Sequence, residues 1–80
     1  MTIQITALNN ITKQRYNYIT DTNKQVSSSE DYLKGIISKG ASYVGFKEES
    51  LWFEQIYAEL LINGFYSIDS EIGTLTITIL

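Results

Sequence analysis

The sequence contains no cysteine, no histidine and no proline. Without thiols, the chain has neither the disulfide framework of small secreted domains nor a cysteine-based zinc site. Without imidazoles, it lacks the base of Ser-His-Asp and Cys-His catalytic systems and the commonest side-chain metal ligand. Carboxylates, lysines, serines, threonines and tyrosines are the acid–base and nucleophilic groups that remain. These absences favour a protein that is not an enzyme, and we expect no cofactor and no bound metal.

A long apolar run is also missing. No stretch approaches the roughly 20 apolar residues that a membrane-spanning helix needs. The first residues, MTIQITALNN, have neither the basic segment nor the apolar segment of a secretion signal. A chain of 80 residues is long enough for only one hydrophobic core. We therefore expect a single domain, residues 1–80, that is cytoplasmic and does not contact a membrane.

Cations are absent from the C-terminal part of the chain. The six lysines and arginines all lie within residues 1–47 with three of the nine acids, whereas residues 48–80 hold the other six acids. Those six acids are Glu48, Glu49, Glu54, Glu59, Asp69 and Glu71. Such a difference in charge can influence which partner the chain selects. Contacts between the two halves of the fold would instead neutralise part of the difference, and the sequence leaves both interpretations open.

The apolar pattern predicts strands at both ends of the chain and helices between them. Residues 2–8 and 74–80 alternate apolar and polar side chains, which is typical of strands buried on one face. The predicted elements are strands at 2–8 and 15–20, a helix from the serines at 27–29 to about Lys39, an optional strand at Ser42–Phe46, a helix from about Glu48 to Asn63, and strands at 65–69 and 74–80. The order β-β-α-(β)-α-β-β predicts a small α+β domain. Its N- and C-terminal β-hairpins would form one antiparallel sheet, with both helices packed on one face.

Several residues predict where these elements begin and end. Ser28 and Asp31 have the spacing of a capping box at the start of the first helix. Gly40 predicts the end of that helix, and Asn63-Gly64 predicts the end of the second one. Gly73 predicts a flexible turn between the last two strands. Each of these residues is thus expected to act locally, in a helix cap or a turn.

The second predicted helix, within SLWFEQIYAELLINGF at residues 50–65, has apolar side chains on two sides. At 100° per residue, one broad arc is expected to face the core. This arc consists of Trp52, Phe53, Ile56, Tyr57, Leu60 and Leu61. A narrow apolar strip with carboxylates at its rim lies outside the arc. The strip and its rim consist of Leu51, Glu54, Gln55, Ala58, Glu59 and Ile62.

Two interpretations of the strip are open. Scattered apolar residues are normal on protein surfaces and need no special explanation. However, an apolar centre with a charged rim is also the usual anatomy of a protein interface. A chain of this size has little mass left to cover a second side of the helix. The strip is therefore the candidate protein-interaction site of the sequence.

A different candidate lies in the N-terminal hairpin, where cations alternate with aromatic residues. Lys13 and Arg15 precede Tyr16 and Tyr18 in the sequence KQRYNY. Such a combination suits single-stranded nucleic acid, because cations neutralise the backbone and aromatic rings stack on bases. Two cations are few, however, and no extended basic stripe accompanies them. A plain amphipathic strand with half-buried tyrosines explains the same pattern.

Together these features favour a non-catalytic interaction protein that regulates or inhibits a larger protein by occupying its surface. Phage-type inhibitors of host defence complexes, such as anti-CRISPR proteins, fit this description, as do antitoxins and immunity proteins. The comparison is one of size and composition, not of motifs. The sequence also allows a homodimer, and the acidic C-terminal part argues against nucleic acid as a partner. The alternative hypothesis is a small nucleic-acid-binding module that uses the basic hairpin.

Overall fold

The chain forms four strands and two α-helices in the order β-β-α-α-β-β in the computed structural model, which describes residues Met1–Leu80. The strands are β1 (Thr2–Asn9), β2 (Arg15–Asp21), β3 (Phe65–Asp69) and β4 (Gly73–Ile79). The helices are α1 (Glu30–Tyr43) and α2 (Phe53–Asn63), and single 3₁₀ turns lie at Val26–Ser28 and Glu48–Ser50. The predicted α+β class is confirmed. The optional strand at Ser42–Phe46 is absent, because α1 extends through Tyr43 and a turn follows it.

The four strands form one antiparallel sheet in the order β2-β1-β4-β3. The two ends of the chain therefore pair at the centre of the sheet, where Ile5 lies opposite Ile77. Because side chains alternate between the faces of a strand, the apolar residues of β1 and β4 all point to one side. Both helices cover that side, and the threonines of β1 and β4 lie on the opposite, open face.

The hydrophobic core lies between the sheet and the two helices. Ile3, Ile5, Leu75 and Ile77 of the sheet are fully buried. They pack in one cluster with residues of α1, α2 and the segment between the helices. The members from outside the sheet are Val26, Leu33, Ile37, Ala41, Val44, Phe46, Leu51, Ile56 and Leu60. The alternation in the sequence thus identified the sheet half of the core correctly.

Helix α1 differs from the prediction at both of its ends. It continues through Gly40, which is buried against the sheet. A Cβ atom at Gly40 would lie 2.8 Å from a ring carbon of Tyr16, so the glycine makes room for that ring. At the start of the helix, the N-cap Ser29 makes no side-chain capping hydrogen bond, and the Ser28–Asp31 capping box is wrong. The Ser28 hydroxyl instead accepts a hydrogen bond from the Gln25 amide at 3.3 Å, at the preceding 3₁₀ turn.

The glycines at the end of the chain have different functions. Gly64 ends α2 in the left-handed conformation, at φ 80°, and its amide donates to the Leu60 carbonyl. The predicted C-cap of α2 is therefore confirmed. Gly73 does not serve chiefly as a flexible turn residue, because a Cβ atom there would lie 1.8 Å from the carbonyl oxygen of Leu8. Its missing side chain allows β4 to approach β1.

Neither helix combines the length and the apolar content that crossing a membrane would require.

Candidate protein-interaction surface

Helix α2 begins later than the sequence predicted, and this changes which residues are exposed. Residues Glu48–Ser50 form a separate 3₁₀ turn, and Leu51 has extended backbone angles. The α-helix starts only at Phe53. Leu51 therefore does not continue the helical spacing, and its side chain is buried in the core with 6% exposed. The prediction that Leu51 belongs to the exposed strip is wrong.

The predicted buried arc is correct in its centre and wrong at two positions. Ile56 and Leu60 are buried, and Phe53 and Tyr57 pack partly against the core. Trp52 is 65% exposed and Leu61 is 61% exposed. Trp52 precedes the first residue of α2, where helical geometry does not apply. Leu61 lies at the boundary of the arc.

One continuous face of α2 points away from the core. Glu54, Gln55, Ala58, Leu61 and Ile62 are all exposed, and we call these five residues the α2 outer face. In a helix of 3.6 residues per turn, Ala58 lies one turn before both Leu61 and Ile62. Ile62 is 81% exposed, the largest exposure of any large apolar side chain in the chain. The structure thus brings together four of the predicted strip residues and replaces Leu51 with Leu61.

Glu59, the remaining predicted site residue, lies beside the α2 outer face and not on it. Its side chain is half-buried, towards Tyr66 of β3. Burial raises the pKa of the Tyr66 hydroxyl above its usual value, and the nearby Glu59 carboxylate raises it further. Glu59 therefore forms the boundary between the α2 outer face and the edge of the sheet.

The acids of the C-terminal part have no direct cationic partner. The single ion pair within 4 Å joins the Met1 ammonium group to Asp21, at 4.0 Å. Lys34 lies 5.5 Å from the ring centroid of Phe53 and borders a shallow depression with Glu48 and Glu49. It is a neighbour of these acids and not a salt-bridge partner. Direct ion pairs between the two halves therefore do not neutralise the charge difference.

The N-terminal hairpin separates the residues that the nucleic-acid hypothesis combines. Tyr16 faces α1, with its ring centroid 5.7 Å from that of Tyr43, and Tyr18 lies on the same face of the sheet. Arg15 pairs with Leu8 and lies on the open face. Lys13 lies in the turn before β2 with a φ of 63°. The tyrosines and Arg15 thus lie on opposite faces, and nucleic-acid binding through this hairpin stays a prediction from the sequence.

The chain has no clustered metal ligands, and its most apolar depression offers little to a small ligand. No group of three or more carboxylates lies close enough together to hold a metal ion. The most apolar depression, of about 270 Å³, lies between the segment after α1 and the β3–β4 turn. Its apolar lining consists of Phe46, Ile68 and Ile72. This volume is below the roughly 300 to 1,000 Å³ of typical ligand pockets, and no charged pair or buried polar group converges on it.

The α2 outer face is therefore the principal exposed apolar surface of a helix in this chain, with unpaired acids beside it. Sequence reasoning missed Leu61, and the signal that could have found it is its position at the edge of the buried arc. No protein-family model, no curated protein and no solved structure matches the chain. A function must consequently be inferred from the exposures, charges and contacts of its own residues.

Proposed function

We propose that this chain is a non-catalytic interaction protein that binds a larger protein through the α2 outer face. By occupying a surface of the larger protein, the chain would regulate or inhibit that protein. The observation that carries the proposal is the exposure of two large apolar side chains, Leu61 and Ile62, at consecutive positions of a regular helix. Removing apolar surface from water is favourable by roughly 25 cal/mol per Å². The two side chains and Ala58 therefore supply a driving force for association.

The charges beside this face specify the chemistry of the partner. Glu54 lies within the α2 outer face, and Glu59 lies at its boundary. Glu48 and Glu49 precede the helix, and none of the four acids has a salt-bridge partner in the chain. A complementary surface would present an apolar groove with lysines or arginines around it. Such complementary charges increase association rates and exclude wrong partners.

Two features of the chain support regulation or inhibition by occupation of a partner's surface. The exposed helix face offers contacts, whereas the chain lacks the histidine and cysteine side chains on which most acid–base and nucleophilic mechanisms depend. Inhibitors of host defence complexes, antitoxins and immunity proteins are the classes that we consider, by size and composition. We propose the cytoplasm as the compartment, on the sequence analysis alone.

The proposal is tested with the double variant Leu61→Glu/Ile62→Glu. Both side chains are solvent-exposed, so we expect folding to persist, with a melting temperature within a few degrees of the parent's. Immobilised parent protein should capture a specific partner from a lysate of the source organism, and the double variant should lose most of that protein. The captured protein is identified by mass spectrometry and quantified against the parent.

The matched control is Ile11→Glu, which places a carboxylate at an exposed apolar position of the β1–β2 turn, outside α2. Like the double variant, it adds negative charge and removes exposed apolar surface, but it should leave capture of the partner intact. Equal capture by the double variant and the parent would contradict the proposal. A change of the parent's oligomeric state in the double variant would also contradict it, because the face would then bind a second copy and not a larger protein.

A further inference from the structure

The edge strand β2 exposes backbone hydrogen-bonding groups along its length. It lies at one edge of the sheet and pairs only with β1. The Thr22 amide donates to the Met1 carbonyl at 2.9 Å, and the Asn9 amide donates to the Gln14 carbonyl at 2.9 Å. Thr22 and Gln14, at the two ends of this ladder, are thus in hydrogen-bonded pairs with β1. Such pairs alternate with non-hydrogen-bonded pairs along an antiparallel ladder, so the even-numbered residues of β2 are the ones that form backbone hydrogen bonds with β1. The N–H and C=O groups that point away from the sheet belong to the odd-numbered residues Arg15, Asn17, Ile19 and Asp21.

No other part of the chain covers these groups. The backbone hydrogen bonds outside the regular elements include none from the four odd-numbered residues. Natural edge strands are usually protected by a proline, a bulge, a charge in the middle of the strand or a covering loop. In β2 the pairing with β1 is continuous and there is no proline. Its only charges, Arg15 and Asp21, are at its two ends, so the strand is open to pairing with another strand.

We infer that β2 pairs with β2 of a second copy of this chain, antiparallel about a two-fold axis at Tyr18. In this register Arg15 lies opposite Asp21 of the second copy, and Asn17 lies opposite Ile19 of the second copy. Every pair that forms hydrogen bonds then joins two odd-numbered residues, whose free N–H and C=O groups point towards each other. About eight backbone hydrogen bonds result, and the two sheets become one continuous sheet.

The charges of β2 favour this register over its neighbours. Arg15 and Asp21 carry opposite charges at the two ends of the strand, so the two-fold axis forms two identical ion pairs. Both side chains lie on the open face, since Arg15 pairs with Leu8 and Asp21 with Thr2. The side chain of Asp21 is 81% exposed and can accept a further hydrogen bond. Moving the axis to Ile19 would leave both charges without a partner. Moving it to Asn17 would leave Arg15 opposite Ile19 and would place Asp21 opposite Lys13, which lies in the β1–β2 turn and not in the strand. Only the axis at Tyr18 pairs both charges within the strand, and its symmetry makes the interface self-complementary.

Exposed tyrosines line the helix side of the same edge. The hydroxyl of Tyr32 lies 3.1 Å from that of Thr20, and Tyr43 packs on Tyr16. Tyr43 is 56% exposed, and Tyr18 and Tyr32 are partly exposed. In the dimer Tyr18 would meet its own copy at the axis, and Tyr32 would lie near Tyr16 of the second copy. Tyrosine is enriched at protein interfaces because its ring is apolar and its hydroxyl is polar.

The other edge of the sheet is less suitable. Strand β3 has five residues, and its only charge is Asp69. Pairing β3 with its own copy would place Asp69 opposite Phe65 and would form no ion pair. Helix α2 packs over β3 and β4, so the α2 outer face lies on the side of the sheet away from β2. The inferred dimer therefore does not depend on the proposed function, and it would present two copies of the α2 outer face.

Sedimentation equilibrium of the parent and of two charge variants tests the inference. We expect the parent to form dimers in a concentration-dependent manner. Arg15→Glu has two acids at the ends of β2 and Asp21→Lys has two cations, so each alone should place like charges opposite each other. The dimer dissociation constant of each variant alone should therefore be about tenfold or more above that of the parent. An equimolar mixture should form heterodimers with nearly the parent's affinity, because every charge then lies opposite its complement.

Two results from the parent and the charge variants would overturn the inference. One is a parent that remains monomeric up to about 1 mM, and the other is a mixture that associates no better than its components. Because Asp21→Lys also removes the Thr2 hydrogen bond and the ion pair with the Met1 ammonium group, thermal melts must show that it folds. Should it unfold, Ile19→Pro replaces it. The Ile19 amide points outward, so proline blocks the new pairing without breaking the β1 ladder. Ile19→Pro should be monomeric and its control Ile19→Thr dimeric; a dimeric Ile19→Pro would equally overturn the inference.

Discussion

At the scale of single residues, the buried Asn9 connects three parts of the chain. Its side-chain amide donates to the Val44 carbonyl at 2.7 Å, just after α1. Its side-chain oxygen accepts hydrogen bonds from the Ile11 and Thr12 amides, at 2.8 and 2.9 Å. One side chain therefore holds the β1–β2 turn and attaches it to the end of α1. Asparagine favours turns in general, but the sequence alone does not reveal these three contacts.

We expect Asn9→Ala to lower the free energy of unfolding by about 2 to 4 kcal/mol, because it leaves one buried carbonyl and two amides without their partner. Urea unfolding measures the change. The control is Asn10→Ala, whose side chain is exposed and makes no hydrogen bond within the chain, and which should stay within about 0.5 kcal/mol of the parent. Equal stability of the two variants would show that the Asn9 contacts contribute nothing.

Individual burial within α2 was less predictable than helix formation. Periodicity indicated which residues recur on one side but not where the helix begins. The 3₁₀ turn at Glu48–Ser50 removes Leu51 from the helical spacing, and Leu51 enters the core. Leu61 is exposed because its side of α2 has no neighbouring element. Both outcomes depend on tertiary contacts that a single sequence does not encode in its local pattern.

At the scale of elements, two glycines of α1 are chemically alike and have opposite surroundings. A Cβ atom at Gly35 would meet nothing within 4 Å, and that position is exposed. A Cβ atom at Gly40 would approach the Tyr16 ring at 2.8 Å and a methyl group of Ile5 at 3.2 Å. Gly35 therefore costs helix stability without benefit to packing, whereas Gly40 sets the distance between α1 and the sheet.

Alanine substitutions should separate these two effects. We expect Gly35→Ala to raise the free energy of unfolding by about 0.5 to 1 kcal/mol, the usual difference between the two residues inside a helix. Gly40→Ala gains the same helix propensity but should lower stability by about 1 to 3 kcal/mol, because overpacking moves Tyr16 or the helix. Thermal or urea unfolding measures both. A stabilising Gly40→Ala would mean that α1 does not rest closely on Tyr16.

The elements themselves were predictable to different degrees. Strands β1 and β4 followed from strict alternation, which buries Ile3, Ile5, Leu75 and Ile77 as expected. The end of α1 was not predictable from the sequence, because Gly40 is as compatible with close packing inside a helix as with a helix end. The pairing of β1 with β4 in the middle of the sheet requires contacts between the two ends of the chain, and only the structure supplies them.

At the scale of the whole molecule, three tyrosines that pack against the core keep their hydroxyl protons to a higher pH than free tyrosine does. Burial raises the pKa of Tyr16, Tyr57 and Tyr66 above the usual value of about 10. For Tyr57, the carboxylates of Glu30 and Asp31 raise the pKa further. The Tyr57 hydroxyl also donates to the Glu30 carbonyl at 3.0 Å, which attaches α2 to the start of α1.

These shifts predict a loss of stability at alkaline pH. Above about pH 10 the unfolded chain releases tyrosine protons that the folded chain retains, so the free energy of unfolding falls as pH rises through the raised pKa values. Below pH 9 the same groups are protonated in both states and their contribution is constant. Urea unfolding between pH 8 and 11 should show this decline. The Tyr57→Phe variant should have a shallower decline, and an identical slope in parent and variant would contradict the assignment to Tyr57.

The two proposed contact surfaces lie on different sides of the molecule. The β2 edge is at one end of the strand order, and α2 packs on β3 and β4 at the other. A change at one surface should therefore leave the other intact. Arg15→Glu should capture the same partner as the parent through each α2 outer face, although a monomer would lack the added avidity of a bivalent dimer.

The most direct measurement is the dissociation constant between the purified partner, once captured and identified, and the Leu61→Glu/Ile62→Glu variant. Calorimetric titration compares this variant with the parent and with Ile11→Glu under identical salt. Loss of central apolar anchors often costs more than 1 kcal/mol each, so we expect the dissociation constant to rise by about thirtyfold or more, with Ile11→Glu unchanged. Equal affinities for a folded double variant and the parent would contradict the assignment of the α2 outer face as the binding surface.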